Sequence, residues 1–201
     1  MKKCLICDNN FNPFVDFGNM PIANAFSTKK ELENEYFFSM KVGFCEKCNM
    51  VQLLEQPDRE KMFHDNYAFF SSTSNYMIKH FSKFANAVTS LQCLGNKSFV
   101  VEIGSNDGIM LENFQTDNIP CLGIEPSTNV ANVAKDKGID VMTEFFDKNL
   151  ANKILKIHKK ADAIISANVM CHIPYMHSIY EGVKKLLDVD GVFIFEDPYL
   201  G

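Results

Sequence analysis

Three groups of residues in this chain have the types and spacing to do chemistry: a glycine-bounded polar turn, an acid that follows it, and two pairs of cysteines. Ser98 to Gly108 reads Ser-Phe-Val-Val-Glu-Ile-Gly-Ser-Asn-Asp-Gly, so an apolar run (Phe99, Val100, Val101, Ile103) ends in a turn between Gly104 and Gly108. Ile109, Met110 and Leu111 then open a helix. Strand, tight turn and helix present backbone N–H groups and a helix N-terminus to a ligand at the carboxyl edge of an α/β sheet. Many α/β domains carry such a turn for packing alone, and a second acid separates the two readings. Cys121-Leu122-Gly123-Ile124-Glu125-Pro126 reads as the next strand, with Glu125 at its end. That is roughly the 20-residue offset of an acid that grips a ribose diol.

Four of the seven cysteines form two C-x-x-C knuckles, Cys4-Leu5-Ile6-Cys7 and Cys45-Glu46-Lys47-Cys48. Each knuckle points two thiolates at one centre, and two knuckles complete a tetrahedral zinc site. The gap between them is longer than in the commonest zinc ribbons, which leaves a redox pair or chance as competing readings. Asn9, Asn10, Asn12 and Pro13 follow the first knuckle as turn formers, and Phe37 to Phe44 alternates like a strand into the second. A redox pair usually sits at a helix start in a βαβ setting, which neither knuckle has. Four thiolates leave no open position, so the zinc would serve folding. Cys93, Cys121 and Cys171 stand alone and are expected to be buried and inert.

The elements that must position these groups follow in order. Residues 1–56 read as a zinc-binding lobe, 57–95 as a helical bridge and 96–201 as an α/β domain. In the bridge, Asp58 to His64 is helical, and Tyr67 to Tyr76, with Ser71-Ser72-Thr73-Ser74 after three aromatics, reads as a ligand-lining loop or a cap region. Met77, Phe81, Phe84, Val88 and Leu91 recur on one helical stripe that faces a core. His80 lies off the stripe, as a surface group or one turned toward the ligand. Past Glu125, helices (130–137, 150–158, 179–187) alternate with strands (140–142, 162–168, 191–196), which implies a parallel, doubly wound sheet. Its carboxyl ends collect Glu102, Gly104, Ser105, Asn106 and Asp107, then Glu125, then Asn168 with Cys171-His172-Ile173-Pro174, then Glu196-Asp197-Pro198-Tyr199. His172, just past a strand, can reach a substrate; a structural histidine is the competing account. His64, His158 and His177 are expected at the surface.

With 201 residues, 46% of them hydrophobic, the chain can bury one ordinary core and a small appendage. A net charge of -5 without a basic block argues against nucleic acid as a partner. No apolar run approaches the roughly 20 residues that span a bilayer, and the N-terminus lacks an apolar signal segment. A cytoplasmic protein without a membrane partner is the expectation.

Glu102 to Gly108 followed by Glu125 resembles the cofactor motifs of class I S-adenosylmethionine methyltransferases. A dinucleotide fingerprint, as in an NAD-dependent oxidoreductase, fits worse, because Asn106 stands where its second glycine belongs. Over its whole length the chain is similar to the NDP-hexose C-methyltransferase family, sugar C-3 methyltransferases of the tetronitrose C-methyltransferase type. The matching motifs are the two knuckles, Met62-Phe63-His64, Tyr67 to Ser74, Glu102 to Leu111, Gly123 to Ser127, Cys171 to Tyr175 and Phe195 to Gly201. The resemblance implies an α/β, doubly wound, Rossmann-like class I methyltransferase domain preceded by a small zinc-binding lobe. It implies methyl transfer from S-adenosylmethionine to carbon 3 of a nucleotide-linked 4-keto deoxysugar, in deoxysugar biosynthesis, with Zn2+ on Cys4, Cys7, Cys45 and Cys48; the residues by themselves leave carbon 5 open as well. Tyr67 and His172 are the implied catalytic residues, for substrate positioning and enolate stabilisation, with His172 also a candidate proton carrier. Tyr67, Ser71, Glu102, Gly104, Ser105, Asn106, Asp107, Glu125, Pro126 and Asn168 form the implied cofactor set. Family members continue into a C-terminal domain with a Tyr-x-Glu-His cluster, which this chain lacks; a fragment needing a separate chain that supplies the domain is the alternative expectation.

Overall fold

The computed structural model describes residues 2–23 and 26–198. Tyr199, Leu200 and Gly201, the end of the Phe195–Gly201 motif, lie outside the described residues. The chain forms two compact units, Met1–Ala68 with Pro174–Met176, and Phe69–Ile173 with His177–Gly201. The division falls inside the stretch 57–95. Among the described residues no helix is long and apolar enough to cross a membrane.

The first unit is an antiparallel meander of β1 (Lys2–Lys3), β2 (Asn10–Pro21), β3 (Phe37–Phe44) and β4 (Val51–Leu53), paired in chain order. The alternation in β3 places Val42 opposite both Val15 and Leu53, so one apolar position serves two ladders. Its core is small: Cys4, Phe11 and Cys45 are buried, with Ile6, Met50 and Leu54 packed on them. So little apolar burial rarely sustains a fold without a staple. A single-turn helix, α1 (Arg59–Met62), follows, and the Asp58 carboxylate caps it by accepting from the Glu60 N–H. The Arg59 guanidinium lies 4.8 Å over the Tyr175 ring.

The second unit begins with a 3-10 turn, Ser71–Thr73, and α2 (Asn75–Leu91), whose first turn is capped by the Ser74 hydroxyl accepting from Met77 N–H. Then come β5 (Val100–Ile103), α3 (Leu111–Thr116), β6 (Cys121–Ile124), α4 (Thr128–Asp136), β7 (Val141–Met142), α5 (Lys148–Ile154), β8 (Ala161–Ala167), α6 (Met176–Leu186) and β9 (Leu187–Glu196). The sheet order is β7-β6-β5-β8-β9 and every pairing is parallel. Chain order therefore reverses between β5 and β8, which is where such sheets bind ligands. β5 is buried along its whole length, as a central strand covered on both faces must be.

Phe81, Ala85 and Val88 of α2 share one core with Leu111 and Phe114 of α3, Val100 of β5 and Ala163 and Ile165 of β8. Each large side chain buried there contributes about 1.5–3 kcal/mol. Three expectations are corrected. Leu91 is 74% exposed, because the stripe it extends runs past the packed part of α2. Cys93 and Cys171 are exposed and only Cys121 is partly buried. Cys93 sits beyond the end of α2 with φ 50°, while its N–H and that of Leu94 bond back to Ser90 and Thr89. That is the Schellman ending, whose left-handed position usually falls to glycine.

Candidate functional site

The metal centre is built from two copies of one turn. In the first, Cys4 N–H donates to Asn9 O (2.8 Å) and Asp8 N–H to Cys4 O (3.0 Å); in the second, Cys45 N–H donates to Met50 O (2.9 Å) and Asn49 N–H to Cys45 O (2.7 Å). Asp8 and Asn49 occupy matching left-handed positions, φ 56° and 60°. The four Sγ atoms lie within 4.8 Å of one another, with Cys4–Cys48 at 3.5 Å and Cys7–Cys45 at 3.6 Å. A tetrahedron with metal–sulfur bonds of about 2.3 Å has edges of about 3.8 Å, so the donor set fits zinc with four thiolates and no open position. The redox reading fails, since neither knuckle opens a helix.

Neighbouring donors stabilise the thiolates. Gln52 Nε2 reaches Cys4 Sγ at 3.1 Å, and its Oε1 accepts from Leu5 N–H at 2.9 Å; Asn9 Nδ2 reaches Cys7 Sγ at 3.4 Å. Burial opposes ionisation of Cys4, but the N–H donors of Ile6, Cys7 and Gln52 outweigh it and bring the thiol down to about 6. Such outer donors hold and tune metal ligands. Nothing in the spacing of the cysteines points to Gln52, which β4 delivers.

The second site lies at the carboxyl edge of the parallel sheet. Gly104 (φ 74°), Asn106 (φ 49°) and Gly108 (φ 78°) shape the turn after β5, and Gly104 and Ser105 N–H donate to Ile124 O at 2.8 and 3.2 Å. The Glu125 carboxylate closes this turn: Oε2 accepts from Asn106 N–H (3.0 Å) and Oε1 from Ser127 N–H (2.8 Å). Glu125 is 5% exposed, Glu102 3% and Asp107 0%. Burial first, then repulsion from Glu125 and Asp107, push the Glu102 carboxyl well above the usual range. Glu125 is also raised, chiefly by burial, against the donors on Ser127 and Asn106.

The turn is tied to the segment before α2. Asn106 Oδ1 accepts from Ser71 N–H (2.9 Å), Asn106 Nδ2 donates to Phe69 O (3.0 Å), and Ser72 N–H donates to Asp107 Oδ2 (3.0 Å). Lys137 Nζ donates to Asp107 O at 3.0 Å. Glu102 Oε2, Ser105 Oγ, Asp107 Oδ1, Ser127 Oγ and Ser166 Oγ are buried without a hydrogen-bond partner. Buried polar atoms are normally paired, so this group of orphans suits a polar ligand at the strand ends.

The structure thus brings Ser71, Glu102, Gly104, Ser105, Asn106, Asp107, Glu125 and the adjacent Pro126 to one edge. Asn168 is exposed after β8 with φ 58°, its N–H donating to Glu196 O at 2.6 Å. His172 ends the 3-10 turn Met170–His172 and is exposed. Tyr67 belongs to the first unit, its ring 5.7 Å from that of Phe63. His80 is not a bare surface group: its Nε2 lies 2.9 Å from both Glu196 oxygens. His158, expected at the surface, stacks on Phe99 at 5.0 Å, and His64, also expected there, is half-buried with Nδ1 accepting from Asn66 N–H. Lys137 and Ser127 carry site contacts that residue type alone did not flag; the Glu-Pro-Ser turn ahead of α4 was the available signal for Ser127.

A family model described as a putative zinc binding domain matches residues 4–63, and one described as a methyltransferase domain matches residues 91–200, more than half of the chain. The C-methyltransferase NovU of Streptomyces niveus is 29% identical over 202 residues, covering 100% of this chain and 48% of that protein. The chain therefore spans about half the length of the curated relative it matches. Among solved structures, the PH0226 protein from Pyrococcus horikoshii OT3 aligns with a TM-score of 0.52 at 13% identity, over 63% of this chain and 57% of that one, a likeness of fold alone. Streptomyces venezuelae DesVI aligns with a TM-score of 0.49 at 16% identity, over 60% and 52% of the two chains. The two family models and the NovU match uphold the resemblance drawn from the motifs. With a four-cysteine zinc site ahead of a Rossmann-like parallel sheet, the chain belongs to the family of S-adenosylmethionine-dependent methyltransferases.

Proposed function

We propose that the chain acts as an S-adenosylmethionine-dependent C-methyltransferase on a nucleotide-linked 4-keto deoxysugar. The observation that carries the reading is the convergence of three buried carboxyl groups, Glu102, Asp107 and Glu125, on the glycine turn at the switch point. A cationic ligand with a vicinal diol suits that edge. Glu125, held in place by the Asn106 and Ser127 amides, is aligned to accept from two ribose hydroxyls. Asp107 sets a carboxylate beside the positive charge, Glu102 offers its buried carboxyl as a hydrogen-bonding group, and Gly104 and Ser105 let the backbone approach closely. When bound, S-adenosylmethionine supplies an electrophilic methyl group on a sulfonium.

The acceptor chemistry follows from the ketone. A C–H bond beside it loses its proton to a base, and the electron pair moves onto the carbonyl oxygen, which then needs a donor. Tyr67 takes that donor role and His172 positions the sugar and carries a proton. The carbanion attacks the methyl carbon in line with the departing sulfur, so positioning dominates. The support is the C-methyltransferase relative and the motifs shared along the whole chain.

Isothermal titration with S-adenosylhomocysteine tests the first part, with micromolar binding expected and silence overturning it. Mass spectrometry of a 4-keto nucleotide sugar incubated with this chain and methyl donor tests the second. Running it with and without a chain that supplies the rest of the relative's length decides between independent activity and a fragment that needs a partner.

A further inference from the structure

The segment before and within the first turns of α2 is fastened on both sides of β8. At one end Phe69, Ser71 and Ser72 are bonded to Asn106 and Asp107, directly after β5. At the other end His80 Nε2 meets both oxygens of Glu196, the last residue of β9, at 2.9 Å each. The sheet order runs β5-β8-β9, so residues 69–80 pass from one flank of β8 to the other at the carboxyl edge. They bracket the β5–β8 switch point. Tyr76 stacks on His80 with an interplanar angle of 7°, and Phe81, the next residue, is buried in the core. The pair itself stays open to water, with side chains 35% and 38% exposed.

We propose that His80 and Glu196 are positioning residues of the cofactor site: their contact holds residues 69–80 as a strap beside the crevice and keeps the Ser71 and Ser72 amides on the glycine turn. The inference rests on the cofactor reading above. A partly exposed histidine–carboxylate contact is worth little in global stability, so its effect is local. Losing it frees one end of the strap, and ligand binding then has to order that segment anew.

The test uses the full chain and four variants, His80→Ala, Glu196→Ala, the double variant that combines these two, and His80→Gln, with S-adenosylhomocysteine titration, thermal melting and amide hydrogen exchange. His80→Ala and Glu196→Ala are each expected to weaken binding about three- to fivefold, and the double variant no more than either alone. Exchange at residues 69–74 should speed up in both, while residues 81–91 keep their protection. His80→Gln retains an N–H donor for Glu196 and should restore both affinity and protection, a rescue that loss of packing would not give. Wild-type affinity and wild-type exchange in folded alanine variants would overturn the proposal. So would a His80→Gln variant as weak as His80→Ala. If His80→Ala does not fold, Glu196→Ala and His80→Gln decide alone. A wild-type chain that binds no S-adenosylhomocysteine overturns the cofactor reading, whereas exchange at 69–74 without ligand still reports on the strap.

Discussion

Gly104→Ala is the substitution whose cost the structure lets one work out. Gly104 has φ 74°, and an added Cβ would overlap Cγ2 of Val169 while standing 3.2 and 3.3 Å from its Cγ1 and Cβ. The left-handed backbone costs an alanine about 1–2 kcal/mol, and forcing a methyl into a packed contact costs about 1–3 kcal/mol more. The loss is therefore about 2–5 kcal/mol, or a melting shift of about 8–20 °C for a unit of this size. Differential scanning calorimetry of the full chain measures it. Adding Val169→Ala removes the obstructing methyls but not the backbone penalty, so the double variant should melt between Gly104→Ala and wild type. A Gly104→Ala chain that melts with wild type refutes both terms, and a double variant no better than Gly104→Ala refutes the steric one.

Three further outcomes are expected. Native mass spectrometry should find one zinc per chain, and Cys45→Ser or a strong chelator should remove it and abolish hydrogen-exchange protection around Phe11, because the lobe's core is too small to stand without the metal. Glu102 has a folded-state value raised above its ordinary 4.5, so its contribution is complete below that value and is lost as pH rises through the raised one. Glu102→Gln should accordingly flatten the fall in melting temperature as pH rises above 4.5 and stabilise the chain at the alkaline end. Cys93→Gly should raise stability by about 0.5–1 kcal/mol in urea unfolding, since glycine relieves φ 50° at the end of α2 and gives back part of the gain as unfolded-chain entropy.

The sheet was readable where side-chain type and backbone demand coincide. Phe99 to Gly108 combines β-branched residues for a doubly covered strand with glycines at φ 74° and 78°, and both signals survive without tertiary context. The cysteine pairs were readable because thiolate spacing is a local property. What escaped depended on distance along the chain. His80 and Glu196 are 116 positions apart, and no pattern around either announces the other. Ser71 and Ser72 looked useful for their hydroxyls, yet it is their backbone N–H groups that meet Asn106 and Asp107. β9 starts at Leu187 and not at Gly191, because its polar opening residues lie exposed along the sheet's edge, where alternation is not enforced.

In the parallel sheet the strand made first, β5, stands in the middle, and this sets a timetable for synthesis. β5 can pair with β6 after some twenty residues, but Val100 waits for Ala163 before its other side is closed. At about 5–20 residues per second, that leaves an interval of several seconds in which an apolar ladder edge stands open beside the ribosome. The nascent chain carries an unpaired apolar edge throughout that interval, and a holding chaperone would have it to cover.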